Sequence, residues 1–356
     1  MHARPRSRRA RFETLLLLLP ALGLGACAGK PADGAATPSL VSGTAETTAA
    51  ASADTAQTAT PRATSVAALA ATAEAAAGLP EVIDSWGVPG SEPGQMMLPF
   101  GLAGDGQGNL YVSDSTGVSR YSTGGDFQLR IGAGELPVAE GIAVGPDGLL
   151  YVTGYSAQVQ VYDPDGRLVR EIGEAGEGLG KLRKPTDLAF DPAGNLLVAD
   201  AGNRYIARLS RDGGYLGAIG EPGTMRGQFT APRTLDVDAE GRVYVGMGDD
   251  FLLQRFSADG QYLDSFGQGT LDETLYRTAG VAVDSERGIA YVSQSVAHAI
   301  QAFDLQQTPI RLLWQMGGLP GANEGEFNGP TGLYFEAGRL YVADTRNNRV
   351  QVLDLP

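Results

Sequence analysis

An apolar residue followed by glycine recurs at near-even intervals along most of this chain: Trp86-Gly87, Ile131-Gly132, Ile172-Gly173, Ile219-Gly220, Phe266-Gly267 and Met316-Gly317. The intervals are 45, 41, 47, 47 and 50 residues, a mean of 46. Within each unit the order of segments is constant. A first apolar strand (Gly141-Ile142-Ala143-Val144, Gly280-Val281-Ala282-Val283) runs into a Gly-bearing turn. A second follows (Leu110-Tyr111-Val112, Leu150-Tyr151-Val152, Val243-Tyr244-Val245), and a third (Val159-Gln160-Val161-Tyr162) leads through Asp163-Pro164-Asp165-Gly166 to a fourth. Short strands punctuated by Gly and Asp are the signature of hairpins. A period of 40–50 residues with four strands is that of a propeller blade. The expected fold class is therefore all-β, a β-propeller with four-stranded blades.

The last unit ends after its third strand, whereas Val82-Ile83-Asp84-Ser85-Trp86-Gly87 reads as a fourth strand with no unit before it. The ring is predicted to be closed by this N-terminal strand, which removes the exposed edge an open array leaves.

The fullest copy of the unit, Tyr341-Val342-Ala343-Asp344-Thr345-Arg346-Asn347-Asn348-Arg349-Val350, resembles the NHL repeat. The resemblance covers residues 80–356 and recurs six times in phase, and it implies a six-bladed β-propeller and the role of each strand. It implies that the second strand ends in Asp. That position holds Asp114, Gly154, Asp200, Met247, Gln294 and Asp344. The family pattern and the pairing of Asp344 with Arg349 favour turn and strand pinning by charge-assisted hydrogen bonds over a metal ring.

Residues 1–26 are read as a lipoprotein signal peptide. Arg4, Arg6, Arg8, Arg9 and Arg11 precede an apolar run, Leu15 to Leu24, that is too short to span a bilayer. Leu24-Gly25-Ala26-Cys27 resembles the lipobox of bacterial lipoproteins, which implies lipidation of Cys27, and Ser7-Arg8-Arg9-Ala10-Arg11-Phe12 is similar to the twin-arginine motif but for one inserted residue, which leaves the export route open. Residues 27–79 combine this cysteine with an Ala/Thr/Ser-rich linker too poor in large apolar residues to offset its chain entropy. The expected location is the cell envelope, exported and lipid-anchored. Ala28 in place of Asp after the cysteine points to the outer membrane, on its periplasmic or surface side.

Composition narrows the chemistry. The net charge is −14, and removing a leader of net +4 leaves the remainder near −18, which repels phosphate backbones. No nucleic-acid partner is expected, and the domain is expected to be a monomer. Cys27 is the only cysteine, and the histidines are His2 and His298, so mechanisms needing two imidazoles or a cysteine nucleophile within the folded part are excluded. The lyase branch of the family uses several metal-binding histidines, which this chain lacks. Asp236-Val237-Asp238-Ala239-Glu240-Gly241 imitates a calcium-loop start, but position 12 is Met247 and the segment keeps hairpin phase. No catalytic or metal residue is assigned. The sequence asks for no cofactor, and Ca²⁺ is permitted by the acidic balance without being demanded by any ligand spacing.

Propellers present ligands at the mouth of the central channel, where first strands begin. From those positions Phe100, Glu140, Asp187 and Arg233 are the expected ligand contacts. The expected function is a membrane-tethered extracytoplasmic binding or sensing module recognising an envelope protein, peptide or glycan through the propeller face. The alternative is a carboxylate- and Ca²⁺-dependent hydrolase or lyase at the channel.

Overall fold

The computed structural model describes residues 78–132, 136, 138–248, 253–267 and 277–356. The signal segment, Cys27 and the linker up to residue 77 lie outside the described residues.

The fold is all-β, with six four-stranded antiparallel sheets arranged as the blades of a ring. Blades 1 to 5 take their strands from residues 102–131, 139–172, 185–219, 232–266 and 278–317 in chain order. Blade 6 is composite. Pro330–Glu336, Arg339–Asp344 and Arg349–Asp354 are its inner three strands, and Glu81–Trp86 is its outermost. Glu81 pairs with Asp354 and Trp86 with Val350, with an irregularity between Val82 and Asp84. The closure expected from the orphan strand is therefore present in the structure.

The innermost strands of neighbouring blades lie side by side around the ring. Second strands read as nearly continuous apolar runs, such as Leu110-Tyr111-Val112 and Leu196-Leu197-Val198, because a sheet covered on both faces has no solvent side. Fourth strands stay partly exposed, as in Leu168–Ile172 and Tyr215–Ile219, since they form the perimeter.

The core is divided among the junctions. Six apolar clusters exist among the described residues, and each joins one adjacent pair of blades. Between blades 2 and 3, Tyr151, Val159 and Val161 meet Leu188, Val198 and Tyr205. At the closing junction, Leu102, Val112 and Tyr121 meet Tyr341, Val350 and Val352, and Trp86 lies 5.1 Å from Tyr121 between ring centroids. Burying apolar area at about 25 cal/mol per Å² makes each junction a principal source of stability, and a ring has no end junction to fray.

Arginine clips add a polar layer near the perimeter. Arg120 donates to the Pro164 carbonyl (2.8 Å), Arg208 to Ala258 (2.5 Å) and Arg255 to Leu305 (3.4 Å), each from a third strand to the next blade's turn. In blade 2 the corresponding residue is Val161. Its cross-strand partner Arg170 supplies the guanidinium instead, donating to Arg211 (3.3 Å).

Four connections between blades share a feature not read from the sequence. Glu174–Ala175 pairs in parallel with Lys181–Leu182, Glu221–Pro222 with Gln228–Phe229, and single bridges join Pro89 to Met96 and Pro320 to Phe327. Each loop plugs one side chain, Met96, Leu182, Phe229 or Phe327, into a junction core, where all four are at most 1% exposed.

Candidate functional site

The channel is narrow because backbones meet there. A Cβ on Gly101 would lie 2.6 Å from the Glu140 carbonyl oxygen, and one on Gly141 would lie 2.5 Å from the Asp187 Cα. Glycine is what permits first strands to approach so closely. Blades 3 and 4 depart from this pattern, with Asp187 and Thr234 at the equivalent positions.

There the side chains take over the stitching. Asp187 Oδ2 accepts from the Thr234 hydroxyl and the Leu235 N–H, both at 2.9 Å, and Oδ1 accepts from the Leu188 N–H. Asp236 repeats the arrangement one blade on, Oδ2 accepting from the Val283 N–H (2.8 Å) and Oδ1 from the Val237 N–H. Burial in the wall pushes the Asp187 carboxyl up to about 6 against the pull of these donors, with Glu140 adding repulsion. Burial likewise pushes Asp236 up to about 7, aided by Asp187 and Asp238.

A cavity of about 450 Å³ occupies the channel and its mouth, and Phe100, Glu140, Asp187 and Arg233 all line it. The structure thus gathers the four sequence-derived contact residues around one space, contributed by four different blades. Asp187 is stitched into the wall, whereas Arg233 is exposed at the mouth. A second space of about 450 Å³ adjoins the first through Glu140 and Tyr155, and is lined as well by Gly154, Arg183, Lys184 and Gly202. Tyr155 is 76% exposed. Arg183 pairs with Glu177 at 2.8 Å, while the Lys184 and Arg233 side chains have no ion-pair partner among the described residues.

The second-strand aspartates face away from the channel chemistry. Asp200, fully buried, accepts from the backbone N–H groups of Arg183, Lys184, Gly202 and Asn203 and from the Asn203 side-chain amide. Asp344 accepts from the Asn328 N–H, the side-chain amides of Asn347 and Gln351, and Arg349 Nε at 2.7 Å. Arg349 then spends its remaining donors on the Ala322, Asn323 and Glu326 carbonyls. Asp114 accepts from the Met97 and Thr116 N–H groups and the Thr116 hydroxyl, with Arg130 3.6 Å away. Each carboxylate ties a blade-connecting loop to a second-to-third-strand turn. His298 occupies the same turn in blade 5, with φ of 54°, and its Nδ1 accepts from the Gly329 N–H (3.0 Å), which holds the proton on Nε2. Partial burial and the nearby Arg346 lower its pKa.

Three residues of this region were not singled out from the sequence as contacts: Asp236, Lys184 and Tyr155. Asp236 had a legible signal, since it stands where other first strands place Ala103, Ala143, Ala189 and Ala282. Lys184 and Tyr155 had none, because they lie in loops of unrelated sequence that only the ring brings together. The calcium-loop imitation is divided between two jobs. Asp236 lines the channel, and Asp238 caps the hairpin, accepting from Arg242 and Tyr244. No group of three or more His, Cys, Asp or Glu side chains suited to a metal ion occurs among the described residues.

Comparison with known proteins agrees with this architecture. The NHL repeat family model matches residues 327–353. Among solved structures, a gluconolactonase from Xanthomonas campestris superposes with a TM-score of 0.57 at 19% identity, covering 79% of this chain and 98% of that one. A streptogramin B lyase gives 0.52 at 14%, covering 77% and 97%. A catalytically inactive virginiamycin B lyase from Staphylococcus aureus with quinupristin gives 0.53 at 14%, covering 76% and 83%. At these identities the likeness is one of fold. The chain is a six-bladed β-propeller whose last blade carries an NHL repeat.

Proposed function

We propose that this propeller is a binding or sensing module, tethered to the membrane through Cys27 and the linker of residues 27–79, that recognises an envelope protein, peptide or glycan at the channel mouth. One observation carries the reading. The polar groups deep in the channel already have partners, since both oxygens of Asp187 and of Asp236 accept hydrogen bonds, most of them from backbone N–H groups. The polar side chains without a hydrogen-bond or ion-pair partner among the described residues, Glu140, Lys184 and Arg233, border these spaces beside the exposed Tyr155. Rims rich in Arg and Tyr suit recognition. The test is capture from envelope extract by the immobilised domain. A retained component should be lost when Phe100 and Arg233 are both changed to alanine, and equal retention by the double variant would defeat the reading.

The alternative, a Ca²⁺-assisted hydrolase or lyase, draws support from two channel carboxyls, Asp187 and Asp236, that titrate near neutrality. Thermal unfolding with Ca²⁺ and with EDTA separates the two. A calcium-dependent rise in Tm abolished by Asp236→Asn favours the enzyme.

A further inference from the structure

We propose that the partner at the mouth is an extended, acidic peptide segment whose carboxylates meet Lys184 and Arg233 and one of whose apolar side chains packs on Tyr155. The inference rests on the recognition reading above and names the chemistry of the ligand.

Lys184 and Arg233 are cations of successive blades, each placed next to the start of an innermost strand, and they line the two adjoining spaces. Arg120, Arg208 and Arg255 are committed to the neighbouring blade, and Arg242 and Arg349 to aspartates. In a chain of net charge −14, Lys184 and Arg233, two cations without ion-pair partners among the described residues, border the two adjoining spaces and form a local exception to the surrounding field. Arg183 adds a third positive group, shared with Glu177. Tyr155, 76% exposed, is a rigid amphipathic surface for a side chain. Glu140, on the shared wall, faces the same space with an acceptor for a peptide N–H.

The shape selects among anionic partners. A bilayer presents a flat plane, whereas these groups border a concavity that narrows into a channel. A strand-like peptide can place one side chain in the concavity and successive carboxylates at the rim.

The experiment uses the propeller with its tether but without the lipid, and a fluorescein-labelled peptide of alternating Glu and Leu, read by fluorescence anisotropy at low and at physiological salt. The Glu/Leu peptide should bind, and the same peptide with Lys for Glu should not. Binding should weaken as salt shortens the Debye length to about 8 Å. Exposed ion pairs contribute at most about 1 kcal/mol, so each cation accounts for roughly two- to fivefold and Lys184→Ala with Arg233→Ala together for about tenfold. Arg211→Ala, in the turn between the third and fourth strands of blade 3, should leave affinity unchanged, and circular dichroism confirms that each variant is folded. The proposal is overturned by no binding, by equal binding of the Lys/Leu peptide, or by equal effects of the Lys184/Arg233 and Arg211 variants. It is equally overturned if polygalacturonate or phosphatidylglycerol vesicles bind through Lys184 and Arg233 in preference to the peptide. Retention of an envelope component that needs Phe100, with no response to the Glu/Leu peptide, would sink this inference and leave the recognition reading standing.

Discussion

Replacing Asp200 discriminates a pinning carboxylate from a chemical one. The side chain is fully buried and accepts five hydrogen bonds, four of them from backbone N–H groups of two separate loops. A hydrogen bond to a charged group contributes about 1.5–3 kcal/mol, and a buried donor left without a partner costs about 1–3 kcal/mol. The five share one carboxylate, and water reaches the exposed Arg183 and Lys184 segment, so Asp200→Ala should cost about 3 kcal/mol rather than the sum. At roughly 2–4 °C per kcal/mol for a domain of this size, Tm should fall by about 6–12 °C. Asp200→Asn should be nearly as damaging. One amide oxygen can keep the Lys184, Gly202 and Asn203 N–H groups, but the new NH₂ would then face the Arg183 N–H and the Asn203 amide, donor against donor. Urea unfolding followed by tryptophan fluorescence and far-UV circular dichroism measures both variants. Losses below about 0.5 kcal/mol, the scale of an ordinary surface substitution, would refute the pinning argument and return Asp200 to the functional candidates.

Two further outcomes follow from the same framework. Deleting residues 78–87 should abolish single-step thermal unfolding, because it uncovers the strand Arg349–Asp354 and removes Trp86 from the closing junction; an unchanged calorimetric transition contradicts this. Asp187 and Asp236 have folded-state values of about 6 and about 7, above the ordinary 3.8. A raised carboxyl pKa favours the protonated folded state, so that stability is fully present below about pH 4 and is lost as pH rises through 6 to 7. At about 1.4 kcal/mol per unit, and with channel water screening part of it, each site accounts for roughly 1–3 kcal/mol. Asp236→Asn should flatten the slope of unfolding free energy between about pH 4 and 7, and an unaltered slope counts against the assignment.

The architecture was legible wherever it depended on repetition. The glycine-closed units anticipate a propeller, the resemblance to the NHL repeat adds the blade number and the strand roles, and the orphan strand at Val82 to Gly87 anticipates the manner of closure, since a ring built from one unit writes its constraints six times. The rim was legible by position for the same reason, and Phe100, Glu140, Asp187 and Arg233 do share a cavity. What escaped notice depends on single departures from the pattern. The two-residue parallel ladders in the blade connections are too short to show a period, and the plugs Leu182 and Phe229 look like ordinary loop hydrophobics until the junction that buries them is seen. The adjacency of Tyr155 to Lys184 depends on how adjacent blades are rotated, which no local propensity encodes.

The composite blade also governs the timing of folding. Trp86 is among the first folded residues to be synthesised and Val350 among the last, and the tie from the Leu98 N–H to the Asn348 side chain joins positions 250 residues apart. Until the ribosome has delivered the final strand, the closing junction has only one of its walls, and Leu102, Val112 and Tyr121 wait without Tyr341, Val350 and Val352. Such late, non-local pairing makes ring closure the slow and exposed stage of assembly. The nascent propeller therefore carries an unmatched strand, Glu81–Trp86, until Arg349–Asp354 is made, and the two strands lose their open edges together, in a single late event.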